Sequence, residues 1–181
     1  MSEISIRQMN MKTNNYLLKI SVFLVCVLCL SVSAEAQRKK TTKKTTTTTA
    51  TTNAAEIKDG ANKVSTQIKN VSKFLYLLGT IAQVIEDIDK DTKASQTAKD
   101  KNTKNKQAVI TTIRNLRAGL AALEIEFRTK PSLKNYNLQI NGIADLCGQT
   151  EDLATAGKFL DSGRPLLLVI EKLSDTLVAM P

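Results

Sequence analysis

The chain has 181 residues, no His, no Trp, 4% aromatic residues, 42% hydrophobic residues and a formal charge of +9. That length suits one domain with its own core, and an aliphatic composition poor in aromatics favours helices over a β-sandwich. The lack of His excludes Ser/His/Asp and Cys/His nucleophiles and His-ligated zinc or haem, and leaves no side chain whose ordinary pKa lies near neutrality.

Residues 1–36 read as an export signal. Lys12 and Lys19 precede an apolar run from Ile20 to Leu30, and the small residues Ala34 and Ala36 follow. Basic, apolar and small residues in that order mark a signal peptide, with cleavage expected after Ala36 and Gln37 as the mature N-terminus. A start at Met11 instead of Met1 would give a more compact signal. The apolar run is short of the ~20 residues a spanning helix needs, so no transmembrane segment is expected after cleavage. Val25 and Leu28 precede Cys26 and Cys29, which excludes a lipidated Cys, and Cys147 is left alone in the mature chain. A periplasmic or extracellular location follows as the expectation.

Residues 37–53 form a low-complexity, Thr-rich segment with Arg38, Lys39, Lys40, Lys43 and Lys44 and no acid. It holds nothing that could bury itself, so disorder is expected, and its closely spaced cations suit contact with a polyanion or an anionic surface. Of the +9, +5 lies here, +4 between Lys90 and Lys106 and +1 in residues 1–36, leaving −1 for the other segments.

A first helix is predicted from about Asn53 to Asp91, with Asn53 and Glu56 as an imperfect capping box. Ile57, Ala61, Val64, Ile68, Val71, Leu75, Leu78, Ala82 and Ile85 alternate four and three residues apart, which makes a seam. A second stripe of Phe74, Leu77, Ile81, Val84 and Ile88 widens the apolar arc and is the candidate partner or ligand face. Asp87, Asp89 and Asp91 fall on the first three positions of a calcium loop, but Thr92 stands where Gly is needed and Ala98 where Glu is needed. No metal site is assigned.

Residues 93–106 are polar throughout and read as a long exposed loop or a frayed helix end. A second helix follows on Val109, Ile113, Leu116, Leu120, Leu123 and Phe127, stopped by Pro131. A third, beginning near Ser132, uses Leu133, Tyr136, Ile140, Ile143, Cys147, Thr150 and Ala154, and Gly142 and Gly148 weaken it. The turn at Asp161–Gly163 offers Ser162 as a cap and Pro165 for the first turn of a fourth helix, with Leu166, Val169, Ile170, Leu173, Leu177 and Met180 facing inward.

Together these segments predict an all-α fold, an antiparallel up-down four-helix bundle with coiled-coil-like packing, preceded by the signal peptide and the disordered arm. The rival arrangement is a helical hairpin that completes its core as a homodimer, because the fourth helix is too short to cover the first. Cys147 sits within a seam with no cation within one helical turn of sequence and reads as inert core. Glu124, Glu126, Glu151 and Asp152 lack the spacing of carboxylate metal bundles and read as surface charges. No catalytic residue and no cofactor is assigned, and specific nucleic-acid binding is not expected without a basic helix face or stacking aromatics. The expected function is that of a non-enzymatic interaction or scaffold module at the cell envelope, partnered by an unidentified protein or an anionic envelope component. The alternative is a bundle that covers a lipid or apolar ligand with the Phe74–Ile88 stripe.

Overall fold

The computed structural model describes residues 48–181, with side chains from residue 52 onward. The signal peptide assigned to residues 1–36 and the five cations of the arm lie outside the described residues. The described part is all-helical, without a strand, and has a bundle-like arrangement. α1 spans Thr48–Lys90, α2 Gln96–Thr129, α3 the single turn Asn137–Ile140 after a 3-10 turn at Lys134–Tyr136, α4 Ile143–Thr155, and α5 Gly163–Ala179. α1 packs on α2 and α5, and α4 packs on the same two helices.

The seam residues form the centre of this arrangement. Val64, Val71, Ala82 and Ile85 of α1 are fully buried, as are Ile113, Leu120 and Phe127 of α2, Ile143 and Cys147 of α4, and Leu166, Val169 and Leu173 of α5. A repeat of four and three residues keeps one side of each helix turned to the axis, and each helix gains its apolar burial from its neighbours. The ends show the relative directions. Lys63 near the start of α1 meets Glu126 near the end of α2 at 2.7 Å, whereas Asp89 near the end of α1 meets Lys106 near the start of α2 at 2.5 Å. Arg114 of α2 reaches Glu151 late in α4, and Glu124 accepts from the Ala144 N–H early in α4.

Four local features differ from the sequence reading. First, α1 begins at Thr48, so it takes in residues 48–53 that were expected in the arm, and at 43 residues it is roughly 65 Å long. Asn53 therefore lies inside the helix, and Glu56 instead accepts a hydrogen bond from Ser132 Oγ at 2.5 Å. Second, the polar stretch 93–106 is mostly ordered helix, neither a long loop nor a frayed end, because α2 starts at Gln96. Ser95 caps it by accepting from the Ala98 N–H at 3.3 Å. Within that stretch Asn102 is buried and donates to the Ile85 carbonyl at 3.0 Å and to the Asp89 carboxylate at 2.8 Å. Lys, Gln and Ala are good helix formers, and the polar contacts to α1 supply what apolar periodicity does not.

Third, the third predicted helix is broken. Asn141 leaves the helix in an extended conformation, and Gly142 at φ 88° opens α4 in the left-handed region, where only glycine avoids strain. Gly157 at φ 78° then closes α4. Fourth, Ser162 does not cap α5; it is buried and its Oγ donates to the Phe159 carbonyl at 2.7 Å, closing the preceding turn.

Candidate functional site

The Phe74–Ile88 stripe lies along α1 next to residues that touch α2, since Gln67 lies against Gly119 and Ile85 accepts from Asn102. Phe74 and Ile81 are 5% and 4% exposed, while Leu77, Val84 and Ile88 are half-buried. The stripe is therefore partly core and partly accessible. A piece of chain to which periodicity assigned no role also packs against α1. The segment between α4 and α5 buries Phe159 completely, and its Leu160 N–H donates to the Glu86 carboxylate at 2.9 Å, which fastens the segment to the far end of α1. The segment thus adds contact at the far end of α1 beyond the short α5.

Of the carboxylates read as surface charges, Asp152 is exposed, whereas Glu124, Glu126 and Glu151 are joints between elements. Glu126 accepts from Lys63 at 2.7 Å and Lys130 at 2.5 Å, and Lys63 also pairs with Asp59 at 2.8 Å. Burial pushes the Glu126 carboxyl upward, but the hydrogen bonds and charges of Lys130 and Lys63 outweigh it and hold the group below its ordinary range. The Lys63 ammonium is correspondingly raised: burial lowers it, and Asp59 and Glu126 more than offset that. Glu151 accepts from Arg114 Nε at 2.6 Å and Arg117 at 3.4 Å and is lowered mainly by the Arg114 hydrogen bond. Glu124 is buried at 8% exposure against the start of α4. Apart from the i,i+4 pairs Lys63–Asp59 and Glu126–Lys130, these partners stand 20 to 63 residues apart in the chain, so no local pattern announces them. Glu124, Glu126 and Glu151 are each occupied by a donor of their own chain, an arrangement that positions helices.

Cys147 is fully buried between α4 and α2, and its Sγ donates weakly to the Ile113 carbonyl at 3.6 Å. Burial pushes the thiol up to about 12, although Arg117 of the neighbouring helix pulls the other way. Such a group is protonated and shielded from solvent at neutral pH. No group of three or more His, Cys, Asp or Glu among the described residues is placed to hold a metal ion, and no described helix is long and apolar enough to cross a membrane.

Sequence reasoning missed the outward faces of the helices. Tyr76 on α1 and Leu167 and Val178 on α5 are 75%, 56% and 86% exposed. One signal was available: no Asp or Glu occurs between Asp59 and Glu86, so the outward row of α1 with Lys69, Lys73 and Tyr76 is basic throughout its middle. Comparison with protein-family models, curated proteins and solved structures finds no match to this chain.

Proposed function

We propose that the protein is an exported, non-enzymatic helical bundle that serves as an interaction or scaffold module at the cell envelope, tethered to an anionic surface by its basic arm. The observation that carries this reading is the distribution of charge. Five cations without an acid fall within Arg38–Lys44, whereas residues 52–181 mix 18 basic and 15 acidic residues, many of them paired with each other. Closely spaced lysines on a chain segment attract any polyanion through general electrostatics, and the bundle would then be free to present its faces to a protein partner. The reading of residues 1–36 as a cleaved signal and of the following segment as disordered rests on their composition.

The finer description of the domain belongs with this reading. An antiparallel up-down four-helix bundle with coiled-coil-like packing is supported by the reversed pairing of helix ends and by the seam repeat of four and three residues.

The start of α1 fixes the cleanest test. Removing residues 38–47 leaves α1 whole, so retention on envelope fractions can be compared with and without the arm at low and high salt. The tether requires retention by the intact protein to fall with salt and to be lost on deletion. Equal retention by both forms would refute it. The apolar-ligand reading is the weaker one. With Phe74 and Ile81 nearly inaccessible, only the half-buried Leu77, Val84 and Ile88 could meet a lipid unless the bundle opens. Vesicle flotation of the arm-deleted protein tests it, because binding must then persist.

A further inference from the structure

We propose that Asn102 is the register key of the α1–α2 pair: a buried polar residue in an apolar row that holds the two helices in one of the alignments their seam allows. Seven residues separate Val64, Val71, Leu78 and Ile85 on α1, and all four are buried. On α2, Val109, Leu116 and Leu123 repeat at the same interval, and so do Ile113, Leu120 and Phe127. Rows of that period match themselves after a shift of seven residues, so apolar packing alone leaves the alignment of α2 along α1 under-determined. Counting seven back from Val109 reaches Asn102, which is 2% exposed and puts an amide where the row otherwise holds aliphatic side chains. Its Nδ2 donates to the Ile85 carbonyl at 3.0 Å and to the Asp89 carboxylate at 2.8 Å, and Lys106, one turn further along α2, pairs with the same carboxylate. Its Oδ1 is buried and finds no partner among the described residues. A buried acceptor left without a donor costs stability, whereas the bonds from Asn102 to α1 form in a single alignment. The net effect of the residue is therefore selection between alignments rather than added stability.

Each shift breaks this node. Sliding α2 seven residues toward the start of α1 places Asn102 beside Leu78 and Ala82, both buried and apolar, and leaves the Asn102 amide and the Lys106 ammonium without a carboxylate. The same shift carries Glu126 from Lys63 to the height of Glu56, like charge against like. Sliding α2 the other way carries Asn102 past Lys90, the end of α1, and puts Val109 beside Ile85 and Leu116 where Val109 now stands. That alignment keeps an aliphatic residue at both places, so loss of the polar node is what disfavours it there. The turn does not fix the alignment by itself. Residues 91–95 contain no Gly or Pro, and the side-chain hydrogen bonds of the turn, from the Lys93 N–H to Asp91 and from the Ala98 N–H to Ser95, are exposed and readily replaced by water. Register also decides which outward residues of α1 and α2 stand side by side, so the surface this pair offers depends on a buried amide. The inference rests on the antiparallel seam packing of the two helices given above.

Heteronuclear NMR of the isotope-labelled protein tests the proposal on the parent, Asn102→Leu and Asn102→Val. The parent is expected to give a single set of backbone resonances, with contacts between the Asn102 amide and Ile85. The variants are expected to keep their helical circular dichroism. At least one of them should show, for residues of α1 and α2, a second set of resonances carrying about a tenth of the intensity or more, because an aliphatic side chain fits both alignments. A single set of resonances with the parent's α1–α2 contacts in both variants overturns the proposal. Unfolding of both variants overturns it too, because Asn102 would then be an ordinary stabilising contact. A parent without contacts between Asn102 and Ile85 overturns the seam packing itself, and the proposal with it.

Discussion

Cys147 and two glycines show how differently single positions of this chain respond to change. The Cys147 thiol is buried and held protonated, so iodoacetamide should modify it only when the bundle opens. Its alkylation, followed by mass spectrometry of the peptide that contains it, is expected to track unfolding in denaturant; rapid modification under native conditions would show an accessible thiol. Gly60 and Gly79 both lie inside α1, yet Ala should act on them in opposite directions. At Gly79 a new Cβ meets nothing within 4 Å, so Gly79→Ala is expected to stabilise by about 0.5–1 kcal/mol through lower backbone entropy of the unfolded chain. At Gly60 the Cβ would stand 2.8 Å from Leu133 Cδ2 and 3.2 Å from Met180 Cε, and Leu133 is fully buried and cannot swing aside. Gly60→Ala is therefore expected to destabilise by about 1–2 kcal/mol net, read from urea midpoints.

At the scale of elements, the joints between helices make stability depend on pH in a defined direction. Glu126 is depressed in the folded protein by Lys130 and Lys63. Its contribution is therefore fully present above the ordinary carboxylate range of about 4–4.5 and is lost as pH falls through the lowered folded value. The urea midpoint should decline below about pH 4.5, and Glu126→Gln should flatten that decline while lowering stability at neutral pH. The segment between α4 and α5 carries a second expectation. Phe159→Ala removes a fully buried ring and should cost about 3–5 kcal/mol. It should also raise binding of an apolar dye by opening a cavity in the core; unchanged dye binding would mean that the core closes over the lost ring.

The elements were legible in the sequence where burial is aliphatic and periodic. Val64, Val71, Leu78 and Ile85, then Ile113, Leu120 and Phe127, then Leu166, Val169 and Leu173 were placed on inward faces by spacing alone, and they are buried. The start of α2 was not legible, because Lys99 to Lys106 hold their turn with a cap, helix-forming residues and the buried Asn102, none of which has a hydrophobic period. The break at Gly142 was visible only as a weakness, since a lone glycine is tolerated in many helices and its left-handed φ is a property of the folded backbone. The burial of Phe159 lay outside any periodic pattern. Of the candidate site, the sequence marked the stripe on α1 but could not say how much of it the rest of the chain would bury.

For the molecule as a whole, the account divides the work between a chain segment outside the described residues and a helical domain whose polar joints and apolar seam are mutually satisfied. Several of its carboxylates, Glu56, Asp89, Glu124, Glu126 and Glu151 among them, hold helices together, and its outward rows and the basic arm are the parts most open to a partner. The tether, the envelope partner and the external setting all depend on one claim, that the chain is exported with residues 1–36 removed. The most direct measurement is the intact mass and N-terminal sequence of the protein recovered from fractionated cells that produce it. The account predicts a chain beginning at Gln37 in the periplasmic or external fraction. A chain that retains residues 1–36 or 11–36 and remains in the cytosolic fraction would contradict it.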